Sequence, residues 1–351
     1  MEHVKVVVWD SVGNIMWGVR PWEDWPPQHQ ERLLAEDPEA RAHAPSFDQI
    51  FKDYAVELRV VTSPDELVAR IEDADVLVLH KVRVPGEALR AARRLRFIEH
   101  LGQDARGVPI EVAQEMGIPV AAVPLVNYLV VAEHAWALIL NHLKRLPDQR
   151  RIMGAQFGGW SAVPGLQPAR SQTLGLLGLG EIARAMARVA QAFEMSIIYW
   201  DIERFPEIEE RYGIQYAEWD EMFRRSDILS VQLALNDATR GIIGAREIGL
   251  MRPHAFFVNT ARGKLVDQEA LGDALRAHRL GGAGLDVFAD EPLPPDDPLR
   301  TLHDDPGYNV TLTPHSASLA PATWVQDSQA VWFNVLRVLR GEPAEYIVSR
   351  Q

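Results

Sequence analysis

The chain has 351 residues, no cysteine, and 36 basic and 49 acidic side chains that give a formal net charge of −13. The length allows two domains with sizeable hydrophobic cores, and a hydrophobic content of 47% is ordinary for a globular protein. The acidic balance argues against nucleic acid or an anionic membrane as a partner. Without cysteine there can be no disulfide framework, thiol nucleophile or thiolate metal site, and we predict no metal site.

The first residues pass directly into an apparent strand, 4–9, with no pattern typical of a signal peptide. A long apolar stretch, 129–140, is interrupted by Glu133 and His134 and is too short to cross a bilayer. We therefore expect a soluble, cytoplasmic protein.

Short apolar runs alternate with helical patterns in the first third of the chain, which predicts a parallel α/β domain. A capping box with proline at the first helical position, Ser63 to Glu66, begins a helix that ends near residue 73. The predicted strands are 4–9, 58–61, 76–79, 95–100 and one that starts at 117–120, and a second helix covers 110–116. The segment 11–46, which contains Trp17, Trp22 and Trp25, is interpreted as a surface excursion, with a substrate lid as the alternative.

The stretch 174–193 combines a buried strand, a glycine turn and a helix, in the order that forms a phosphate cradle. Gly178 permits the tight turn, Gly180 lets the backbone approach a pyrophosphate, and the helix N-terminus offers free N–H groups. The helix is predicted to bury the face that carries Ile182, Met186, Val189, Ala190 and Phe193.

An acidic residue follows the next predicted strand at the position where it can bind the adenosine ribose. Asp201 lies 23 residues after Gly178 and would repel a ribose phosphate, so the spacing favours NAD over NADP. Arg204, three residues later, keeps NADP open as an alternative.

The second half of the chain predicts one doubly wound sheet, from about residue 124 to 313. A nearly all-apolar helix, 128–143, should be buried, and 150–171 is interpreted as a linker or surface arm. The predicted strands are 195–200, 227–233, 256–259, 282–287 and 310–312. The last helix, 324–339, should return the chain to the first domain. The predicted domains are therefore 1–123 with 316–351 for the substrate and 124–315 for the dinucleotide.

Four polar residues follow predicted strands at the carboxyl edge, where parallel α/β sheets bind ligands. They are Arg262, Asp286, Glu291 and His315. Taken singly, each could be a surface ion pair or a loop residue. Together they supply a guanidinium, acids and an imidazole to one cleft, which predicts an active site.

Several motifs occur in an order and at a spacing that resemble one enzyme family. They are VAEH (131–134), GLGEIA (178–183), NTARG (259–263), GLDVFADEP (284–292) and PHSAS (314–318). From about residue 95 to the C-terminus the chain resembles the D-isomer-specific 2-hydroxyacid dehydrogenases. The resemblance implies a Rossmann-type NAD-binding domain, a flavodoxin-like substrate domain split in sequence, and a homodimer.

The resemblance also implies residue roles. Arg262 would clamp the substrate carboxylate, His315 would exchange a proton with the carbonyl oxygen, and Glu291 would orient His315. Asp286 would hold the nicotinamide or its ribose. Glu291 separates the chain from formate dehydrogenases of the same fold, which carry an amide there. The implied cofactor-binding residues are Gly178, Gly180, Glu181, Ile182, Asp201, Thr260, Ala261, Arg262, Asp286, His315 and Ala317.

The chain departs from the family pattern in the loop that holds the substrate carboxylate. Gln103 and Asp104, predicted to bind substrate with Arg262, stand with Arg106 where the family has other residues. His80, Lys81 and Arg106 could select a second anionic group on the substrate or could be surface charges.

One further departure from the family pattern and one further prediction concern other parts of the chain. The family's His-x-Pro reads Gln232-Leu-Ala here. Glu133 and His134 are interpreted as a structural pair.

The predicted function is an NAD-dependent interconversion of a 2-oxo acid and a D-2-hydroxy acid, both small molecules. Two alternatives stay open at this point. The same residues could oxidise phosphite, or the chain could be an NAD-sensing binding protein that resembles the corepressors of this fold.

Overall fold

The structure is a computed structural model that describes residues 1–11, 15–16, 19–24, 30, 45–102, 105, 107–155, 163, 165–318 and 321–348. Predictions for Trp17, Trp25, Gln103, Asp104, Arg106 and most of the segment 11–46 lie outside the described residues. The chain divides into two compact units, 1–127 with 320–351, and 128–319. The boundaries predicted from the sequence are four residues earlier, at 123 against 127 and at 315 against 319.

The first unit is built on a five-stranded parallel sheet in the order β2-β1-β3-β4-β5. This is the strand order of flavodoxin, so the predicted fold class of the first domain is confirmed. Its strands are β1 (Glu2–Asp10), β2 (Tyr54–Val61), β3 (Val76–His80), β4 (Phe97–Leu101) and β5 (Val120–Val123). Its first four helices are α1 (Phe47–Ile50), α2 (Pro64–Arg70), α3 (Gly86–Ala91) and α4 (Ile110–Glu115).

Helix α2 begins at the predicted cap, although only half of the capping box forms. Ser63 Oγ accepts a hydrogen bond from the Glu66 backbone N–H at 3.3 Å. The Glu66 carboxylate accepts from the backbone N–H and hydroxyl of Thr62 instead of the Ser63 N–H. The cap still satisfies free N–H groups at this helix start, because Glu66 reaches one residue further back.

The second unit is built on a seven-stranded parallel sheet in the order β12-β11-β10-β9-β6-β7-β8. Counted from β6 as the first strand, this is the doubly wound order 3-2-1-4-5-6 with one further strand, which confirms the predicted Rossmann-type domain. Its strands are β6 (Thr173–Leu177), β7 (Ser196–Trp200), β8 (Gln215–Tyr216), β9 (Ile228–Val231), β10 (Phe256–Asn259), β11 (Gly282–Leu285) and β12 (Val310–Leu312).

Two helices precede β6, and one further helix lies between each two consecutive strands. They are α5 (Asn127–Lys144), α6 (Leu146–Ala155), α7 (Glu181–Ala192), α8 (Pro206–Tyr212), α9 (Trp219–Arg225), α10 (Ala245–Leu250), α11 (Gln268–Arg276) and α12 (Pro298–Asp304). Helix α6 extends to residue 155, so the predicted linker or surface arm, 150–171, begins within a helix. The region also contains a short 3₁₀ helix, Ala169–Ser171.

The buried face of α7 differs from the predicted one. Val189 and Phe193 are 38% and 37% exposed, whereas Met186 and a set of alanines are buried. The buried alanines are Ala183, Ala185, Ala187 and Ala190. The helix packs close to the sheet through small side chains. Its largest apolar residues therefore did not identify the buried face correctly.

The last helix, α13 (Pro321–Leu339), belongs to the first unit. Trp332 is fully buried, and its Nε1–H donates to the carbonyl oxygen of Ile15 at 2.9 Å. Asn334 Nδ2 donates to Glu99 Oε2 on β4 at 2.6 Å. Burial raises the pKa of Glu99 well above its usual range and so favours the neutral form of this carboxyl group.

Helix α13 also carries a buried acid whose ionisation opposes folding. Asp327 is 4% exposed, and its Oδ1 accepts from the Val126 N–H at 2.7 Å. Burial raises the Asp327 pKa from 3.8 to about 6, against lowering contributions from the Val126 hydrogen bond and the nearby His80. The folded state therefore binds the proton more tightly than the unfolded state, and stability falls as the pH rises from 3.8 to about 6.

Replacing Asp327 with asparagine should stabilise the protein above this pH range, because the amide keeps the acceptor for Val126 N–H and carries no charge. We expect a gain of about 1–3 kcal/mol in the free energy of unfolding at neutral pH. The gain should shrink toward zero as the pH approaches 3.8. Urea unfolding followed by tryptophan fluorescence measures it, with the exposed Asp53→Asn as control. A gain that does not change with pH would contradict this account.

Among the described residues, no helix combines the length and apolar character needed to cross a membrane.

Candidate active site and cofactor cradle

The turn after β6 has the geometry that a dinucleotide pyrophosphate requires. Gly178 has a φ of +93°, and a Cβ there would lie 2.8 Å from the carbonyl oxygen of Gln232. A Cβ on Gly180 would meet no heavy atom within 4 Å, so no protein contact explains this glycine. Helix α7 then begins at Glu181 without a side-chain cap. Open space beside uncapped N–H groups fits a bound phosphate group.

Asp201 lies directly after β7 and is tied to the glycine turn. Its Oδ2 accepts from the Leu179 N–H at 2.7 Å, and its Oδ1 accepts from the Ile202 N–H at 2.7 Å. The half-buried carboxylate is therefore held beside the cradle, where the sequence predicted the ribose.

The loop after β10 is held in shape by one buried amide side chain. Asn259 Oδ1 accepts from the Ala261 N–H at 3.0 Å, and its Nδ2 donates to the Arg262 carbonyl at 3.0 Å. Thr260 Oγ1 accepts from Gln232 Nε2 at 3.2 Å, while Gln232 Oε1 is buried without a partner among the described residues. Asn259 thus fixes the backbone that presents the exposed Arg262 side chain.

Gly263 brings this loop against the loop that follows β11. A Cβ at Gly263 would lie 1.9 Å from the backbone carbon of Phe288 and 2.5 Å from the Ala289 nitrogen. The Ala289 N–H in turn donates to Gln268 Oε1 at 2.9 Å. Since these obstacles are backbone atoms, only glycine permits this approach between the two loops.

Glu291 and His315 form a hydrogen-bonded pair. Glu291 Oε2 lies 2.6 Å from His315 Nδ1, and Glu291 Oε1 accepts from the Phe288 N–H at 2.9 Å. The Glu291 side chain is 34% exposed and that of His315 44%, so both remain accessible. His315 Nε2 has no hydrogen bond to the described residues, and the residue's φ is +53°.

The carboxylate of this pair stays ionised at neutral pH. Burial alone would raise the Glu291 pKa, but the hydrogen bonds from His315 and the Phe288 N–H lower it, and so do the charges of His315 and Arg262. The net shift is downward from 4.5. The field of Arg262 therefore reaches the same carboxylate that holds His315.

Asp286 is buried completely and organises the loop that carries His315. Its Oδ1 accepts from the Thr313 hydroxyl at 2.6 Å and from the Ser316 N–H at 2.9 Å, and its Oδ2 accepts from the Ala317 N–H at 2.9 Å. The sequence predicted a direct cofactor contact for Asp286. In the structure its carboxylate lies inside the protein and bonds to these three donors.

His134 on α5 extends the same network. Its Nε2 lies 2.9 Å from Thr313 Oγ1 and 3.6 Å from Asp286 Oδ1. Because the Thr313 hydroxyl gives its only proton to Asp286, the network assigns the Nε2 proton to His134. The prediction that Glu133 and His134 form a structural pair is therefore wrong, since Glu133 is exposed and His134 bonds to Thr313 instead.

The second unit thus brings together Arg262, Glu291 and His315, and it also contains the glycine cradle and Asp201. Sequence reasoning missed Asn259, Gly263, Gln268 and Thr313, all of which shape the loops around these side chains. The first two lie within the NTARG motif and could have been found there. Gln268 and Thr313 offered no such signal.

The sequence profile described as D-isomer specific 2-hydroxyacid dehydrogenase, NAD binding domain, matches residues 136–317. A glyoxylate reductase from Aeropyrum pernix is 34% identical over 318 residues, which are 87% of this chain and 93% of that protein. The chain belongs to the D-isomer specific 2-hydroxyacid dehydrogenase family. The predicted family and enzyme class are confirmed, and the protein is an NAD-dependent dehydrogenase of this family.

Other dehydrogenases of the family match over most of the chain. A D-3-phosphoglycerate dehydrogenase from Methanocaldococcus jannaschii is 32% identical over 91% of this chain and 59% of that protein. The crystal structure of D-lactate dehydrogenase from Aquifex aeolicus, complexed with NAD and lactic acid, is 25% identical, covers 96% of each chain and has a TM-score of 0.64. Both matches extend beyond the NAD-binding domain of this dehydrogenase.

Proposed function

We propose that this dehydrogenase interconverts a small 2-oxo acid and its D-2-hydroxy acid, and that Arg262, Glu291 and His315 perform the reaction. The observation that carries the proposal is the 2.6 Å contact between Glu291 and His315, with the charge of Arg262 acting on the same carboxylate. An imidazole held by an ionised acid is the arrangement that general acid–base catalysis needs.

His315 moves the proton. Its Nδ1 bonds to Glu291, which leaves Nε2 to donate to the substrate carbonyl oxygen during reduction and to accept the hydroxyl proton during oxidation. Glu291 stabilises the charged ring and fixes its orientation. When bound, NADH supplies the hydride that reduces the carbonyl carbon.

Arg262 binds the substrate. A guanidinium can pair with a carboxylate through two parallel hydrogen bonds, which fixes the plane of the 2-oxo acid as well as its position. Asn259 and Gly263 hold the Arg262 backbone, so the cation is presented from a fixed loop. Gln103 and Asp104 complete the proposed substrate contacts.

The proposed cofactor is NAD in preference to NADP, because Asp201 stands beside the cradle and would repel a ribose phosphate. The names of the relatives, which include glyoxylate reductases, favour a small 2-oxo acid. A homodimer, which the family resemblance supports, is a further part of this proposal, and so is a cytoplasmic location.

The test measures NADH oxidation by the purified protein with glyoxylate, hydroxypyruvate, pyruvate and 2-oxoglutarate. We expect turnover with at least one acid and a product of D configuration. Arg262→Ala protein, prepared identically, is the control for a contaminating dehydrogenase. Turnover of phosphite with NAD alone would favour phosphite oxidation, and tight NADH binding without any turnover would favour an NAD-sensing protein. Either result would overturn the proposal.

A further inference from the structure

Arg204, in the loop after β7, is held by an acid on the next helix. Its Nε donates to Glu209 Oε1 at 2.7 Å, and its Nη2 donates to Glu209 Oε2 at 2.8 Å. The pair is bidentate, so it uses the fork of the guanidinium that recognises planar anions. The Arg204 side chain is 63% exposed, whereas that of Glu209 is 15% exposed. The acid is thus anchored in the protein and the arginine lies on its surface.

Tyr199 holds Glu209 in place. Its hydroxyl donates to Glu209 Oε1 at 2.8 Å and accepts from the Phe205 N–H at 2.9 Å. Tyr199 is fully buried on β7, so it ties the acid and the loop backbone to the sheet. The hydrogen bonds from Arg204 lower the pKa of Glu209, which is therefore charged at neutral pH. The Arg204 guanidinium also lies 5.8 Å from the ring centroid of Tyr216.

The position of Arg204 in the chain relates this contact to cofactor binding. In dinucleotide-binding domains, an acid after the second strand binds the ribose hydroxyls, and an arginine close to that position accommodates the 2′-phosphate of NADP. Asp201 and Arg204 are three residues apart and offer both possibilities. The bidentate contact with Glu209 occupies the arginine fork and balances its positive charge.

We propose that Glu209 determines the cofactor specificity of this dehydrogenase, because it holds Arg204 away from a ribose 2′-phosphate. This inference rests on the proposed preference for NAD over NADP and deepens it. Asp201 and Glu209 then act in different ways, since the first repels the phosphate and the second removes its natural partner. Removing Glu209 frees Arg204, while Asp201 remains, so NADPH gains affinity without NADH losing it.

The experiment measures dissociation constants for NADH and NADPH by quenching of tryptophan fluorescence in Glu209→Gln and Glu209→Ala. We expect NADPH to bind about 5- to 20-fold more tightly than in the parent protein, with NADH changed less than about twofold. Glu210→Gln is the matched control, because it removes the same charge from the exposed neighbour on the same helix. That variant should leave the ratio of the two constants nearly unchanged.

A double variant, Arg204→Ala with Glu209→Gln, shows whether the gain passes through the arginine. We expect the gain for NADPH to disappear in it. An equal gain in Glu210→Gln, or a gain that survives the loss of Arg204, would show a general charge effect and overturn the inference. No gain in either Glu209 variant, with NADH still bound, would also overturn it. A parent protein that binds no NADH would instead contradict the proposed function.

Discussion

Replacing Arg262 with alanine should lower kcat/KM for reduction of the preferred 2-oxo acid by about 10²- to 10³-fold or more. The reason is that the guanidinium is proposed both to hold the substrate carboxylate and to stabilise charge that develops on the carbonyl oxygen. The charge of Arg262 also contributes to lowering the pKa of Glu291, so its loss removes one of the groups that keep this carboxylate ionised. Steady-state kinetics with NADH at saturation measures the effect.

Two further variants make this result specific. Arg262→Lys keeps the charge but loses the two-point geometry, and we expect it to restore only a small part of the activity. Arg279→Ala removes an exposed arginine elsewhere in the same unit and should leave kcat/KM unchanged. If Arg262→Ala retained most of its activity while Arg279→Ala behaved as expected, Arg262 would not be the substrate clamp.

His315→Asn should reduce kcat by about 10²- to 10⁴-fold, since an amide cannot exchange a proton with the substrate. Asparagine is the appropriate replacement because His315 has a φ of +53°, a conformation that asparagine adopts more readily than alanine. The binding of NADH, measured by fluorescence, should remain close to that of the parent protein. A variant with nearly full turnover would exclude His315 as the proton donor.

Glu291→Gln separates the orienting role from the proton transfer itself. The amide can still contact the ring but does not stabilise its charged form. Reduction needs the protonated ring, so the alkaline limb of its pH–rate profile should move to lower pH in this variant. The Glu291 pKa lies below 4.5 in the parent protein, so its pair should persist throughout the neutral range. An unshifted profile with a reduced rate would indicate a structural role alone.

The strands of the second unit were predictable because a buried parallel strand is a short apolar run between turn residues. Strands β10 and β12 have the predicted bounds, and the polar residues that follow β10 and β12 are the predicted Arg262 and His315. The sequence motifs therefore predicted that Glu291 and His315 lie in one unit. The prediction of the buried face of α7 was wrong because small residues, rather than large ones, lie against the sheet.

The network around Asp286 could not be predicted from the sequence. His134 and Thr313 are separated by 179 residues. The sequence around a polar residue in a loop has no periodic pattern from which its hydrogen-bond partner could be predicted. Gly263 is a similar case, because its need for glycine arises from the Phe288 backbone 25 residues away. These features depend on how loops from different strands meet, which local patterns do not specify.

The buried carboxylate of Asp286 has a consequence for the energetics of turnover. Three donors from residues 313–317 converge on it, so the backbone on both sides of the imidazole is ordered when the chain folds. Ordering a flexible segment opposes association by about 1–2 kcal/mol for each residue fixed. In this loop the entropy is lost when the protein folds and not when the substrate binds. The free energy of the substrate contacts can therefore contribute to lowering the activation barrier.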